Sequence, residues 1–297
     1  MRIGFSLPQL GGVAARQADA VARFAGEAEA LGAGSLWVGD RLLAPVNPTV
    51  GYPPGASTIP EEFHHILDPF VALGIAAAVT EKPLLGTNVI NAPWYPPALL
   101  ARSLTTIDAV SGGRLVPGFG SGWSPEEFQA ASVPFAERGR RLDECLDALD
   151  QLWTADPAEY HGQHWTVPAT HAGLKPVRRP QIHLAGFAPA ALRRVARRAD
   201  GWLPILVLPG PTDPAELITA PMRRIREFAE QEGRDPAGIG LVLRVYPQPG
   251  ATIDEVVSAI QRCSTEPDVR HLLVDLMFLA TSVDHALELA ETILRSC

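Results

Sequence analysis

Eight short apolar runs, each followed by a stretch of helical periodicity, constrain this chain more than any other feature. They cover residues 3–7, 35–38, 84–91, 115–117, 181–185, 201–206, 239–246 and 272–276. Strands with so little polar face belong in a parallel sheet that helices cover on both sides. Ala18, Val21, Phe24, Ala25, Ala28 and Leu31 recur at helical spacing and predict a helix over 16–31, ended by Gly32 and Gly34. Asp68 caps a helix that has Pro69 in its first turn, and Thr252-Ile-Asp-Glu255 is a capping box. Further helices are predicted over 97–110, 136–153 and 284–294, and after Gly186 and Asp213; residues 160–167 read as a small hairpin around Gly162. The 297 residues show no linker and no break in composition. The alternation therefore predicts an α/β fold, a single (β/α)8 barrel with insertions, with residues 1–297 as one domain. A two-domain doubly wound protein is the alternative, weakened because the first strand-to-helix turn lacks a nucleotide fingerprint.

The composition is 46% hydrophobic and 20% charged, the mix of a globular chain. A formal net charge of -8 argues against sequence-independent binding to nucleic acid or to anionic membranes. No apolar run approaches the ~20 residues of a membrane span. The opening Met-Arg-Ile-Gly-Phe-Ser-Leu-Pro-Gln is too short an apolar run for a signal peptide. Cys145, Cys263 and Cys297 are odd in number and widely spaced, which predicts reduced thiols and a cytoplasmic location. Cys145 keeps helical spacing with Leu142, Leu146, Leu149 and Leu152 and is expected in the core. No zinc spacing, P-loop or H-E-x-x-H motif occurs, so no metal is expected. Ser121 lies between Gly120 and Gly122, but Phe at position 119 breaks the nucleophile-elbow pattern.

Several places point toward a ligand. Residues 114–128 read as a buried strand, a turn with Gly118, Gly120 and Gly122, and a helix entry with Ser124 as N-cap, Pro125 next and Glu127 closing a capping box. Trp123 breaks the dinucleotide pattern, and an ordinary tight turn fits the glycine spacing as well. Asp40 closes the second strand beside Arg41, placed to hydrogen-bond a polar ring or to make a structural contact with Arg41 or the backbone. Thr87, Asn88 and Asn91 are polar intrusions in the third strand. Ser6 and Gln9 leave the first strand as site or loop residues. Gly186-Phe-Ala-Pro189 opens a helix whose cap, Ala188, cannot satisfy the first N–H groups; a phosphate would, and water is the alternative. Arg193, Arg194, Arg197 and Arg198 on that helix read as a solvated face. Residues 43–67, with Pro45, Pro48, Pro53, Pro54, Pro60 and His64-His65, form either a lid or a decoration.

Trp37-Val-Gly-Asp40, Asp68-Pro-Phe70, Leu85-Gly-Thr-Asn-Val89, Ser111-Gly-Gly-Arg-Leu115, Gly118-Phe-Gly-Ser-Gly-Trp123, Val133-Pro-Phe-Ala-Glu-Arg138 and Ala199-Asp-Gly-Trp202 together resemble the bacterial luciferase-like family, in order and spacing, from residue 1 to about 233. The branch most similar is that of flavin- or deazaflavin-dependent (coenzyme F-420) oxidoreductases. The resemblance implies a luciferase-like TIM barrel with a flavin-like ring at its carboxyl mouth. It implies a non-proline cis peptide at Asn88-Val89 supporting the ring, further contacts from Asp40, Gly120, Ser121 and Ser124, and a phosphate turn at Ala185, Gly186 and Phe187. It also implies a homodimer packed through helices of the second and third βα units. Two positions depart from relatives: Arg41 stands where many have histidine, and Ser121 where deazaflavin-dependent sugar-phosphate dehydrogenases have glutamate. No catalytic residue is therefore assigned, and oxidation of a sugar phosphate through that glutamate is not expected.

These readings predict an oxidoreductase that exchanges hydride between a deazaflavin coenzyme (F-420) and a small organic substrate. One alternative is an FMN-dependent monooxygenase using reduced flavin and oxygen, supplied by a separate flavin reductase because no nicotinamide site is visible. The other is a cofactor-binding protein without turnover.

Overall fold

The computed structural model describes residues 1–297 except 18, 53–55 and 212. Ala18 of the predicted first helix, and Pro53 and Pro54 of the insertion, lie outside the described residues. The strands are β1 (Arg2–Ser6), β2 (Ser35–Val38), β3 (Leu84–Thr87), β4 (Ile90–Asn91), β5 (Leu115–Val116), β6 (Gly118–Gly120), β7 (Ala158–His161), β8 (Thr166–Thr170), β9 (His183–Ala185), β10 (Gly201–Leu203), β11 (Ile205–Leu208), β12 (Gly240–Leu241), β13 (Leu243–Pro247) and β14 (His271–Val274). The helices are α1 (Gly12–Arg16), α2 (Ala20–Leu31), α3 (Pro69–Val79), α4 (Pro97–Val110), α5 (Pro125–Ala130), α6 (Arg138–Thr154), α7 (Pro189–Arg198), α8 (Ala220–Gln231), α9 (Ile253–Cys263) and α10 (Val283–Ser296).

The strands form two parallel sheets, in the orders β11-β13-β14-β1-β2-β3-β5 and β12-β10-β9-β6-β4. They join into one ring because four staves are each interrupted: β3/β4 at Asn88 and Val89, β5/β6 at Pro117, β10/β11 at Pro204 and β12/β13 at Val242. A proline has no N–H for the ladder, but its carbonyl still serves. Pro117 O accepts from His183 N at 2.9 Å and Pro204 O from Arg244 N at 2.9 Å, so the pairing runs on across the breaks. The result is the (β/α)8 barrel of the sequence reading, with the β7–β8 antiparallel hairpin standing outside it.

Alternation along each strand decides which side chains enter the ring. Leu36, Leu85, Leu243, Val245 and Leu272 face the helices and join the main core. Their neighbours Trp37, Val116, Leu203, Val242 and Leu273 form a separate interior cluster, with Val89 and Ala185 packed against it. Gly86 is required there, since a Cβ would lie 2.2 Å from the Trp37 ring. A polar layer accompanies Trp37: Ser35 Oγ accepts from Trp37 Nε1 at 2.8 Å and lies 2.7 Å from His271 Nε2. Burial, with Arg2 and His183 nearby, pushes the His271 pKa down to about 3.

Two local expectations need correcting. The predicted helix over 16–31 is two helices, broken at Gln17. Gln17 is extended, with φ -134, and its side-chain oxygen accepts from Val283 N at 3.2 Å, serving the start of α10 instead. The capping box at Ser124 and Glu127 does not form: Ser124 makes no side-chain cap, and Glu127 turns toward residues 41–43. The Asp68 cap and the Thr252–Glu255 capping box are present. Cys145 is buried in the core, its thiol pushed up to about 12 by desolvation.

Candidate active site

A cavity of about 180 Å³ opens where the carboxyl ends of β2, β4 and β13 meet. It is lined by Leu10, Gly39, Asp40, Arg41, Tyr52, Phe63, Asn88, Val89, Asn91, Trp123, Arg244 and Tyr246. This is the edge at which parallel barrels carry their sites. The third stave is interrupted at the Asn88-Val89 peptide, which is cis, as the resemblance implied. Its polar residues have separate tasks. Thr87 Oγ1 exchanges hydrogen bonds with Gly118 N and O, both 2.7 Å, and ties the third stave to the fourth. Asn91 holds Asp40: its N donates to Asp40 Oδ2 at 2.9 Å and its Nδ2 to the Asp40 carbonyl at 3.0 Å. Tyr95 Oη donates to the other carboxyl oxygen at 3.0 Å. Asp40 thus makes the backbone contact, and its carboxylate is not paired with Arg41. Burial raises its pKa to about 7, against the pull of the Asn91 and Tyr95 hydrogen bonds. A carboxyl of this kind can hold or release a proton near neutrality.

Arg41 has a different partner. Its Nε lies 3.3 Å from Glu127 Oε1, which also accepts from Leu42 N at 2.7 Å and Leu43 N at 3.3 Å. Its guanidinium sits 4.3 Å from the Trp123 ring centroid and 5.2 Å from that of Phe63. Burial works against the charge on both groups, lowering Arg41 and raising Glu127, and their mutual attraction opposes this. Next to Glu127, Glu126 accepts from Thr49 N at 2.7 Å. Gln9 Nε2 donates to Gly39 O at 2.8 Å and Leu67 O at 2.7 Å. The 43–67 insertion is therefore fixed at both ends, and its Tyr52 stacks on Trp123 at 5.2 Å across the mouth. Ser6 serves the barrel, donating to Asp275 Oδ1 at 3.1 Å.

The expected site residues fall into two groups. Asp40, Asn88 and Val89 line the cavity. Gly120 adjoins them, since a Cβ there would lie 2.6 Å from Val89 Cγ2. Ser121 is half-buried, and Ser124 is buried with its hydroxyl given to Glu126 at 3.1 Å. The second group is the turn after β9. Ala185 packs on the interior cluster that also holds Val89, Gly186 has φ +127, and Phe187 is exposed against Trp202. Ala188 is an uncapped helix start. The arginines of α7 are engaged elsewhere: Arg194 with Asp143 at 2.8 Å, Arg198 with Asp147, Arg197 with Glu232 at 3.7 Å, and Arg193 over Phe228 at 4.9 Å.

Sequence reasoning missed Arg244, Tyr246, Tyr52 and Phe63. A signal for the first existed. Arg244 breaks an otherwise apolar strand and shares parity with interior-facing Val242. It pairs with Asp275, likewise an interior position by parity with Leu273.

The sequence profile of the luciferase-like monooxygenases matches residues 1–293. The chain belongs to that family. It is an oxidoreductase of the luciferase-like class, whose members work with flavin or F420 cofactors. An uncharacterized protein of Mycobacterium tuberculosis is 35% identical over 206 residues, 68% of this chain and 69% of its own. The FMNH(2)-dependent dimethylsulfone monooxygenase of Pseudomonas putida is 36% identical over 129 residues, 42% of this chain and 35% of its own. An F420-dependent secondary alcohol dehydrogenase, solved with an F420-acetone adduct, superposes with a TM-score of 0.76 over 99% of this chain and 98% of its own, at 16% identity. That likeness establishes the shared fold. Among the described residues, no helix is long and apolar enough to cross a membrane, and no group of three His, Cys, Asp or Glu side chains is arranged for a metal.

Proposed function

We propose that this luciferase-like protein moves hydride between a deazaflavin coenzyme of the F-420 type and a small organic substrate. One observation carries the reading. The interrupted third stave and Asp40 meet in a cavity roofed by aromatic rings, where Asn88 Nδ2 is buried without a hydrogen-bond partner. A buried donor left unpaired is costly, and a polar ring edge would satisfy it. The residues present therefore fit such a cofactor. When bound, the deazaflavin supplies two-electron hydride chemistry.

The chain's own residues do the rest. Val89 and Asn88 would back the ring, and Gly120 would leave room beside them. Asp40 would meet its polar edge and hold a proton near neutrality. Ser121 and Ser124 would border it on the fourth loop. The backbone N–H groups at Gly186 and Phe187 would take the phosphate, and Tyr52, Phe63 and Trp123 would exclude water. The protein would act in the cytoplasm as a single-domain chain paired into a homodimer. The surface of α3 supports that pairing, for Val71, Ile75 and Val79 are exposed one turn apart on a helix without a charged residue. Val71→Asp with Ile75→Asp should give monomers in analytical ultracentrifugation, and an unchanged mass would remove this surface from consideration.

The partial likeness to an FMNH(2)-dependent monooxygenase favours FMN as the second reading, with reduced flavin delivered by a separate reductase. Titration of the protein with oxidised F-420 and with FMN, followed by absorbance and by oxygen uptake after reduction, separates the two. Tight F-420 binding without oxygen uptake supports the proposal. FMN binding with oxygen uptake replaces it, and binding without turnover of any substrate leaves a carrier.

A further inference from the structure

Arg41 is buried in the cavity wall and does not spend all its donors. Its Nη2 donates to Leu43 O at 3.2 Å. Its Nε is 3.3 Å from Glu127 Oε1 without hydrogen-bond alignment, and both Nε and Nη1 are shielded from water with no hydrogen-bond partner. The group is held in place by Trp123, Phe63 and the Glu127 carboxylate. Arg244 repeats the arrangement. Its Nη2 meets Asp275, its guanidinium lies 4.1 Å from the Tyr246 centroid, and its Nε has no partner.

A guanidinium offers five N–H groups and no acceptor, so whatever completes these bonds must bring an acceptor oxygen. Charge decides which kind. Arg41 already has Glu127 and Arg244 has Asp275, so the two pairs sum to zero before a ligand arrives. A carboxylate or phosphate would add a buried charge with no counter-ion, whereas a carbonyl oxygen adds none. Tyr52, Phe63, Trp123 and Tyr246 line the same space, which suits a flat molecule.

We propose that Arg41 is the specificity-determining residue of this site, its unspent N–H groups receiving the carbonyl oxygen of a small, planar, uncharged ketone, aldehyde or enone. The assignment deepens the proposed function, on whose cavity it rests, by naming the substrate class. Cyclohex-2-enone and benzoate serve as probes, titrated into protein without cofactor and followed by tryptophan fluorescence and by saturation-transfer NMR. The enone should bind saturably and benzoate at least about tenfold more weakly. Arg41→Lys keeps the charge and loses the planar fork. It should weaken enone binding about ten- to a hundredfold, the worth of one charge-assisted hydrogen bond. Arg41→Met with Glu127→Gln removes the ion pair as a unit and should do the same. If the double variant fails to fold by circular dichroism, Arg41→Lys carries the test. Absence of enone binding, unchanged enone affinity in Arg41→Lys, or benzoate binding as tightly as the enone overturns the assignment. F-420 binding to the wild type is measured separately. Its failure beside Arg41-dependent enone binding would remove the proposed function and leave this site standing.

Discussion

Asp40→Asn tests the electrostatics of the cavity through stability, without any cofactor. The carboxyl has a pKa of about 7 in the folded protein against an ordinary value of 3.8, because burial disfavours its charged form. Between those values the unfolded chain has released the proton while the folded chain retains it. Stability therefore falls as pH rises, by up to about 1.4 kcal/mol per pH unit, until the folded group ionises as well. Raising the pH from about 5 to about 8 should cost the wild type about 2–3 kcal/mol from this one residue. Asparagine does not titrate. It also loses one of the two accepted hydrogen bonds, a cost of about 1 kcal/mol that is the same at both pH values and cancels in the difference. Urea unfolding of both proteins at both pH values and fixed ionic strength gives the comparison. The wild type should lose about 2–3 kcal/mol more than the variant on going to the higher pH. Parallel pH profiles would refute the claim that Asp40 is protonated by its surroundings.

His271→Gln probes the opposite slope. With a folded pKa of about 3, His271 stays neutral while the unfolded chain protonates, so lowering the pH from about 8 to about 5 should cost the wild type roughly 2 kcal/mol more than the variant. Equal acid sensitivity in urea unfolding would reject this. Ala188→Asp places a carboxylate on the free N–H groups at the start of α7, so the apo protein should hold or gain stability while F-420 binding weakens by about ten- to a hundredfold. Undiminished binding would move the phosphate elsewhere. Amides of the 43–67 insertion should exchange more slowly once cofactor and enone are added, and equal protection with and without them would make the segment a decoration instead of a lid.

What could be read from the sequence divides by the range of the interaction. The strand at Ser35–Val38 was legible to the residue because burial on both faces leaves a compact apolar run. The Asn88-Val89 interruption was visible as polar residues inside such a run, with the family motif giving its form. Glu127 was misread because Ser-Pro-Glu-Glu satisfies a local capping pattern. The buried guanidinium of Arg41 and the Leu42 and Leu43 amides, all distant in sequence, hold the Glu127 carboxylate instead. Gln17 breaks its helix for the same kind of reason, a partner on α10 that no local window contains. Arg244 and Asp275 were open to detection as charges in apolar strands, but their pairing exists only once β13 and β14, some thirty residues apart, lie side by side.

The two carboxylates that open α5 have a consequence for how such a barrel can change. Loops at a barrel mouth are commonly treated as interchangeable parts, each replaceable without regard to the others. Here the loop after β2 receives its backbone anchors at Leu42, Leu43 and Thr49 from Glu127 and Glu126, in the first turn of the short helix that follows β6. Residues 43–67 moved without Glu126 and Glu127 would leave the Leu43 and Thr49 amides without these acceptors. The two segments are mechanically one unit, so any redesign of this mouth has to exchange both together.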